Sequence, residues 1–373
     1  MSFRNFIKNI YKKIIINFFL IIYKKPIIKA NSKNSNQLIK TIKLDDKIYK
    51  VFKINNGRLF TNNNDYTSYI LPNNELSISS YQYILRKNSK SHSSINTKIS
   101  YNPALKFGTP KILKIYKNSI LSLLSGGASR VNFTHWFEDT LPKLYLFNKG
   151  FPKKKVDKIL VPSIKKKFQV ESLKNFGFKN NQIISAETNK HIKCKELYIT
   201  SHPCNHHPAK VPKWNLNYIK NSFTTKKSYN GFKYDKIYID RDQDKILNEN
   251  LEKFKNYRIL INNQEIKSFL LNLNFKIIKP EDLSLNDQIN VFNNAKVIVS
   301  LYGAAMYMIN FCKKKTKVIE IKPYKSGNDF LRISNLNDLV HYQIKLKPII
   351  KTTNNQQGLL MCPVSTLKKY LKK

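Results

Sequence analysis

The stretch VIVSLYGAAMYMINF, residues 297–311, has the pattern of a buried strand that turns sharply into an apolar helix. Its first residues are β-branched, as in a strand of a parallel sheet, and Gly303 and two alanines follow them. Small residues at such a turn allow backbone N–H groups and the positive end of a helix to approach a phosphate. Because the chain has only 10 glycines, we interpret this turn as a candidate phosphate site. A tight turn that serves packing alone is the alternative.

The same alternation of strand-like and helix-like segments extends to both sides of this stretch. The strand-like runs are KIYID (236–240), FKIIKP (275–280) and KVIEIKP (317–323), with the amphipathic segments EIKSFLLNL (265–273) and LNDQINVFNNA (285–295) between them. Strands that alternate with helices are typical of a parallel α/β sheet. A second, less regular run begins near residue 111 with KILKIY. We therefore predict an α/β fold with two Rossmann-like domains facing a cleft, where ligands bind at the carboxyl ends of strands.

The length of 373 residues exceeds the usual size of one hydrophobic core, which indicates two domains. Short alternating runs between about residues 39 and 100 predict a β-rich N-terminal extension. A polar, lysine-rich stretch at 221–234 marks a boundary between the domains. The predicted organisation is a basic amphipathic segment at 1–30, a first α/β domain with the β-rich region at 31–225, a second α/β domain at 226–350 and a C-terminal tail or helix at 351–373.

The net charge of +44 predicts attraction to a polyanion, such as nucleic acid, an acidic membrane surface or a phosphorylated substrate. Lysine, asparagine and isoleucine are abundant together, as in A/T-rich genomes, so coding bias explains part of this charge. The segment FRNFIKNIYKKIIINFFLIIYKKPIIKA (3–30) repeats apolar residues at helical spacing between lysines. Its apolar core is shorter than the roughly 20 residues of a membrane span. The pattern favours a helix at an anionic lipid surface, with docking on the protein itself or a true span as alternatives.

The four cysteines are scattered without a Cys-x-x-Cys pair, which argues against a disulfide scaffold or zinc ribbon and favours a reducing compartment. The segment SHPCNHHP (201–208) brings together His202, Cys204, His206 and His207. Its prolines favour a surface or substrate-facing loop, and a zinc site is the lesser alternative.

The segment VNFTHWFEDTLPKLYLF (131–147) places candidate catalytic groups on one helix. Asn132 can cap that helix, and His135 and Asp139 then lie one turn apart on the same face, while Glu138 points elsewhere. A carboxylate beside an imidazole can orient it, raise its pKa or act as the general base itself. The following proline should kink or end the first turns. The alternative is an exposed ion pair without a catalytic role.

Two charged side chains lie at the ends of strands in the second domain. Arg241 follows the strand in IYIDRD, where a guanidinium can bind a diphosphate through two parallel hydrogen bonds. Glu320, in KVIEI, can accept hydrogen bonds from ribose hydroxyls, or it can pair with an arginine or lysine.

Taken in order, these segments resemble glycosyltransferase family 61 over about residues 125–344. NFTHWFEDTLPKLYLF resembles the family's Asn-x-x-His-Trp segment, and KIYIDR resembles its strand ending in arginine. PEDLSLNDQINVFNNAKVIVSLYGAAMYMINF resembles its long stretch ending in His-Gly-Ala-Gly and then Asn, and KVIEIKP resembles its closing strand.

The resemblance implies a two-domain GT-B architecture and an inverting transfer from a nucleotide sugar, without a cofactor or an obligatory metal. The first domain would bind a glycan or lipid-linked acceptor and the second the donor, in bacterial capsular or lipopolysaccharide-type synthesis. With the basic N-terminal segment, this places the enzyme in the cytoplasm, peripheral on the inner face of the cell membrane. For catalysis the resemblance implies Asp139 as the base at the acceptor, His135 as its companion on the same helix, and Glu138. For the donor it implies Arg241, Tyr302, Gly303, Ala304, Asn310 and Glu320.

The chain also departs from the family pattern. Tyr302 stands where the family has histidine before the glycine, and Ala305 replaces the second glycine of the turn. An insertion at 242–257 follows Arg241, and Asn263 stands where the family has glutamate. Two alternatives therefore stay open: a catalytically inactive relative, and a basic nucleic-acid-binding protein, although no nucleic-acid-binding module is recognisable.

Overall fold

The computed structural model describes the chain except for residues 1–2, 24–27, 30–36, 63–65, 73–74, 86–89, 95–103, 106–107, 205–210, 225–232, 242–253, 255–256, 351 and 353. The chain divides into two compact units, Met1–Tyr218 and Ile219–Lys373. The sequence-based boundary between 225 and 226 lies outside the described residues, as does most of the insertion at 242–257.

The described strands are β1 (Ile28–Lys29), β2 (Gln37–Leu44), β3 (Lys47–Asn55), β4 (Arg58–Asn62), β5 (Tyr66–Ile70), β6 (Glu75–Leu85), β7 (Lys90–Ser94), β8 (Lys114–Ser122), β9 (Lys158–Val161), β10 (Ile183–Ser185), β11 (His191–Thr200), β12 (Lys236–Ile239), β13 (Arg258–Leu260), β14 (Lys276–Ile278), β15 (Val297–Leu301), β16 (Lys317–Pro323), β17 (Val340–Leu346) and β18 (Gly358–Leu360). The described helices are α1 (Phe3–Tyr23), α2 (Phe133–His135), α3 (Lys143–Gly150), α4 (Lys167–Asn175), α5 (Lys213–Thr224), α6 (Asn263–Leu271), α7 (Leu285–Asn294), α8 (Asp329–Leu336) and α9 (Val364–Lys372). A 3₁₀ segment, Ala304–Phe311, follows β15.

The first unit is built on one mixed sheet in which β11 is the central connection. Strand β11 pairs in parallel with β8 along one edge. Along its other edge it pairs antiparallel with β4 over its first residues and with β3 over its last. The N-terminal strands therefore complete the sheet and cover an edge of β11 that would otherwise be unpaired. The β-rich region is part of this sheet and not a separate extension, so the first unit differs from the expected Rossmann-like domain.

The second unit contains the parallel sheet that its sequence predicted. Its strands lie in the order β14-β12-β15-β16-β17, and all neighbouring pairs are parallel. Numbered along the chain, this is the 2-1-3-4-5 order of flavodoxin-like sheets, in which β12 and β15 flank the point where the strand order reverses. The predicted α/β class is confirmed.

The C-terminal residues belong to the core of the second unit. Strand β18 pairs in parallel with β13, and Gly358 lies opposite Arg258. Cys362 and Leu367, which follow β18, are fully buried in the hydrophobic core beneath the sheet. The segment that we described as a tail or helix thus forms a strand and a helix, and it fixes the position of β13.

Helix α1 presents apolar side chains to solvent. Phe6, Ile14, Phe18 and Ile21 are exposed by 55%, 62%, 57% and 74%, respectively. Among the described residues, no helix is both long enough and apolar enough to cross a membrane.

A half-buried ion-pair cluster joins two strands of the first unit. The carboxylate of Glu196 on β11 lies 2.6 Å from the ammonium groups of both Lys53 and Lys154. Burial by itself would raise the pKa of Glu196, but the hydrogen bonds and charges of these two lysines lower it from 4.5 to about 2. The ionised carboxylate therefore stabilises the folded state.

Replacement of Glu196 by Gln is expected to lower the free energy of unfolding at pH 7 by about 1–2 kcal/mol, a value reduced for the partial exposure of the two lysines. Because the folded pKa is depressed, this stabilisation is complete above pH 4.5 and decreases as the pH falls toward about 2. Urea unfolding at pH 7 and pH 3 would measure it. Asp46→Asn is the control, since that side chain is 94% exposed and is expected to have almost no effect. Equal stability of the Glu196→Gln and wild-type proteins at pH 7 would contradict the prediction.

Candidate active site

A π-helical turn carries the candidate catalytic residues. It spans Trp136–Thr140 and is closed by a hydrogen bond from the N–H of Leu141 to the carbonyl of Trp136. Pro142 has no N–H to donate to the carbonyl of Glu138, so a regular helix cannot continue through this position. The kink that the sequence predicted at this proline is thus a π-helical turn. Such turns occur frequently at functional sites.

The widened turn leaves two carbonyl groups to be bonded by other segments. The amide Nδ2 of Asn215 donates to the carbonyl of Glu138 at 2.7 Å, and the hydroxyl of Ser125 donates to that of Asp139 at 2.8 Å. The indole N–H of fully buried Trp136 donates to the hydroxyl of Ser172 at 2.9 Å. These distant partners hold the turn in a defined position.

The turn brings His135 and Asp139 into direct contact. Nδ1 of His135 lies 2.7 Å from Oδ2 of Asp139. The side chain of Asp139 is only 12% exposed, whereas that of His135 is 33% exposed. The expected pairing is therefore present, and because the carboxylate is buried, the pair is not an exposed surface pair. Its catalytic role stays a prediction. Glu138 is also buried, at 9% exposure, and its catalytic role stays a prediction.

A second imidazole and a thiol lie against the same carboxylate. Nε2 of His202 is 3.7 Å from Oδ1 of Asp139, and the N–H of Cys204 donates to Nδ1 of His202 at 3.1 Å. Since Nδ1 of His202 accepts this bond, the proton of the neutral ring is on Nε2, which faces the carboxylate. The sequence favoured a surface or substrate-facing loop here, with a zinc site as the lesser alternative. His202 and Cys204 are instead buried, at 6% and 5% exposure, and no local pattern indicated their contact with Asp139.

The electrostatic environment keeps Asp139 ionised. Burial by itself would raise the pKa of Asp139, but His202, His135 and the Cys204 thiol together lower it below its ordinary value. An ionised carboxylate accepts the hydrogen bond from His135, which puts the proton of the neutral imidazole on Nδ1 and a lone pair on Nε2. In this arrangement His135 can take up a proton and Asp139 can stabilise the resulting imidazolium.

Lys143 adds a buried amine near the pair. It is 2% exposed, and its ammonium donates to the carbonyl of Leu124. Burial lowers the pKa of Lys143 to about 7, against the opposing effect of the charge on Asp139. No local sequence pattern indicates this residue, because its burial depends on tertiary packing.

Ligand atoms of Asp139, His202 and Cys204 lie within 4.8 Å of one another, which makes them a possible metal-binding group among the described residues. The other two candidates, His206 and His207, lie outside the described residues. Because Nδ1 of His202 accepts the N–H of Cys204, the neutral ring has its proton on Nε2, and Nε2 would have to lose this proton to bind a metal. The expectation of no obligatory metal stays a prediction.

In the second unit, the predicted donor residues Arg241 and Gly303 follow the two strands that flank the reversal of strand order. Arg241 comes just after β12, and Gly303 just after β15, and these strands are neighbours in the sheet. Ligands of open α/β sheets bind outside the carboxyl ends of strands at such a point. A Cβ atom on residue 303 would lie 3.3 Å from Nη1 of Arg241, so the close approach of this guanidinium favours glycine there.

A second guanidinium, from Arg258, lies beside the first. Its Nη1 would be 3.5 Å from a Cβ atom on residue 303, and both arginines donate to the carbonyl of Tyr302. Burial lowers the pKa of Arg241. Burial and then the charge of Arg241 lower the pKa of Arg258 to about 10. Arg241 is exposed and Arg258 is half-buried, and two such adjacent cations form a site that an anion would stabilise. The sequence reasoning missed Arg258.

Tyr302 and Ala304 flank the glycine. The hydroxyl of Tyr302 donates to Oδ2 of Asp329 at 2.8 Å, and burial and this carboxylate raise its pKa. The hydroxyl of Tyr302 therefore stays protonated at neutral pH, and the donor contact of this residue stays a prediction. Ala304 is half-buried at the start of the 3₁₀ segment.

Two other predicted donor residues are enclosed in the protein. Glu320 is fully buried, and its Oε2 accepts hydrogen bonds from Gln343 at 2.7 Å and His341 at 3.2 Å when Nε2 of that ring is protonated. Asn310 is also fully buried and accepts a hydrogen bond from Asn337 at 3.1 Å. Nζ of Lys322 also lies 3.9 Å from Oε2 of Glu320, which fits the interpretation of Glu320 as the partner of a lysine. A ribose contact of Glu320 and a donor contact of Asn310 stay predictions.

A buried carboxylate beside a half-buried imidazole lies in one unit, and an arginine pair lies at the strand reversal of a nucleotide-binding type of sheet in the other. Both are expected of a group-transfer enzyme. The family profile described as Glycosyltransferase 61 matches residues 133–319, half of the chain, and these include both groups of residues. The chain therefore belongs to glycosyltransferase family 61, as the resemblance indicated. No curated protein matched the chain.

Proposed function

We propose that this glycosyltransferase inverts the anomeric centre as it moves a sugar from a nucleotide donor to a hydroxyl group of a glycan or lipid-linked acceptor. The observation that carries the proposal is the contact between His135 and ionised Asp139 inside the family match. A single-step inverting transfer needs one base at the acceptor hydroxyl, opposite the leaving group. A two-domain GT-B arrangement and a role in bacterial cell-surface polysaccharide synthesis are parts of the same proposal.

The proposed base is the imidazole of His135. The acceptor hydroxyl gives its proton to Nε2 of His135 while its oxygen forms the new bond to the anomeric carbon. Asp139 holds the ring by Nδ1 and stabilises the imidazolium, and its lowered pKa makes it a weak proton acceptor by itself. The family resemblance implied Asp139 as the base. The His135 side chain is 33% exposed and that of Asp139 only 12%, which supports His135 as the base instead.

On the donor side, the bond between the anomeric carbon and the diphosphate breaks, and the diphosphate leaves with the electron pair. Arg241 lies at the carboxyl end of β12, beside the turn at Gly303, where a guanidinium can neutralise this charge. Two adjacent guanidinium groups support a transfer that does not require a divalent cation.

A panel of common nucleotide sugars tests the proposal. At least one nucleotide sugar is expected to raise the unfolding temperature, because ligand that binds only the folded state stabilises it. The same compound should release its nucleoside diphosphate faster when lipid-linked or oligosaccharide acceptors are added. If no nucleotide sugar stabilises the protein or is turned over, the proposal fails and the inactive-relative alternative gains support.

We also propose that α1 binds the protein to the inner face of the cell membrane, where a lipid-linked acceptor would be found. Residues 1–44 contain no Asp or Glu, and α1 exposes a series of large apolar side chains. Basic amphipathic helices with these properties bind anionic lipid through both charge and apolar burial.

The variant Ile14→Asp/Ile21→Asp is expected to reduce binding to phosphatidylglycerol vesicles at least about tenfold more than Asn9→Asp/Asn17→Asp, because each isoleucine contributes apolar burial. The two variants change the charge equally and both alter exposed positions of α1. Vesicle co-sedimentation would measure the difference. Equal binding by the two variants would show that the apolar side chains of α1 do not enter the lipid.

A further inference from the structure

Arginine is used sparingly in this chain, and two arginines meet at one turn. Only seven of the 67 Lys and Arg residues are arginine. Where only positive charge is required, the composition supplies lysine. Guanidinium groups at both positions beside Gly303 therefore indicate a need for planar, two-pronged hydrogen bonding to an anion.

The guanidinium of Arg258 is held in a fixed orientation. Its Cζ lies 4.5 Å from the centroid of the Tyr302 ring, a distance typical of a cation–π contact. Its Nη1 donates to the carbonyl of the same residue, and its Nε donates to the carbonyl of Gln356 at 2.6 Å. The strand pairing of Arg258 with Gly358 fixes the backbone beneath it.

Tyr302 is itself fixed on the side away from the arginine. It is 5% exposed, its hydroxyl donates to Asp329 and its ring packs edge-on against Phe330 at 5.2 Å. A side chain held at both its hydroxyl and its ring is a rigid support for a neighbouring cation.

We propose that Arg258 is the second cation of the diphosphate site and that Tyr302 is the residue that positions it. This inference rests on the proposed function, since it assigns groups to the leaving diphosphate. Tyr302 occupies the position of the histidine of the family pattern, but its hydroxyl is bonded to Asp329 and does not face the phosphate as a donor. The guanidinium of Arg258, which lies beside its ring, supplies a contact to the leaving group. The departure from the family pattern is then compatible with an active enzyme.

Inorganic pyrophosphate is the probe, because its binding does not depend on the unknown nucleoside or sugar. Isothermal titration would compare pyrophosphate with inorganic phosphate on the full-length protein. We expect Arg258→Gln to bind pyrophosphate at least about tenfold more weakly than wild type. Tyr302→Leu keeps the carbonyl but loses the ring, and a loss of about threefold to tenfold is expected. Tyr302→Phe keeps the ring and should lose less affinity than Tyr302→Leu.

The ratio of pyrophosphate affinity to phosphate affinity distinguishes a displaced Arg258 guanidinium from a general loss of structure. If Tyr302 positions the second cation, this ratio falls in Arg258→Gln and Tyr302→Leu. Lys296→Gln, which removes a cation that is 74% exposed in the same unit, should leave the ratio unchanged. Thermal unfolding identifies variants that fail to fold. If Arg258→Gln fails to fold, Arg258→Lys takes its place. It keeps the charge but loses the forked guanidinium, and it is expected to lower the ratio by about threefold or more.

The inference is overturned if wild-type protein does not bind pyrophosphate, or if folded Arg258→Gln or Tyr302→Leu binds it as wild type does. A protein that turns over nucleotide sugars but shows either result retains its proposed function and loses only this inference. Arg258-dependent pyrophosphate binding without turnover of any nucleotide sugar would support this inference and contradict the proposed function.

Discussion

Replacement of Asp139 by Asn is expected to lower kcat for sugar transfer by about 10³-fold, with little change in nucleotide binding. The neutral amide cannot stabilise the imidazolium that forms on His135, and it does not enforce the tautomer with the proton on Nδ1. His135→Ala should cause a loss of at least the same size, because it removes the group that takes the proton. Initial rates at saturating donor and acceptor would measure both effects.

The double variant tests whether the two residues act as one unit. Groups that act together are strongly non-additive, so His135→Ala/Asp139→Asn should be about as slow as His135→Ala alone. Asp46→Asn is the control for the loss of a carboxylate, since its side chain is almost fully exposed. Activity near that of wild type in His135→Ala, together with a large loss in Asp139→Asn, would return the role of base to Asp139.

The pH dependence of kcat/KM separates the same two assignments. The pKa of Asp139 is held below its ordinary value of 3.8, so the carboxylate stays ionised as the pH falls from 7 toward 4. If the carboxylate alone were the base, its protonation would not reduce activity in this range. A histidine base is lost when its ring takes up a proton, so a loss of activity as the pH falls below 7, while Asp139 is still ionised, would indicate a histidine base. Constant activity down to about pH 4 would contradict that assignment.

The parts of the site that the sequence predicted are those set by local geometry. The pairing of His135 with Asp139 follows from their spacing of four residues, and the turn at Gly303 follows from a buried strand before a small residue. A proline after the acid indicated a kink. Its form as a π-helical turn depends on Ser125 and Asn215. These residues lie in distant segments and donate hydrogen bonds to carbonyl groups of the turn.

The missed residues reach the site through contacts between distant parts of the chain. Arg258 is positioned because β13 pairs with β18, which joins residues 258 and 358. His202 contacts the carboxylate at residue 139 through packing that no local pattern contains. Conversely, Glu320 has the strand-end position of a ligand contact, but His341 and Gln343 on the neighbouring strand enclose it. Arginine scarcity was a usable signal for Arg258, since a lysine-biased chain seldom has arginine where charge alone suffices.

Replacement of Arg241 by Ala is expected to weaken nucleoside diphosphate binding about 10-fold to 100-fold, because its partly desolvated guanidinium would make charge-assisted bonds to the diphosphate. Arg241→Lys should recover only part of the affinity, since the ammonium keeps the charge but not the fork. Isothermal titration with the diphosphate of the nucleoside found in the donor screen would measure both.

The kinetic constants for donor and acceptor show whether Arg241 acts on the donor alone. Arg241→Ala should raise KM for the donor by a similar factor and leave KM for the acceptor nearly unchanged, whereas Asp139→Asn should act on kcat. Lys296→Gln controls for the loss of one positive charge in the same unit, which matters in a protein with a net charge of +44. If the two variants weaken binding equally, the general positive field attracts the nucleotide. If Arg241→Ala alone weakens it, the carboxyl end of β12 holds the leaving phosphate, and the strand reversal in the parallel sheet is the donor site.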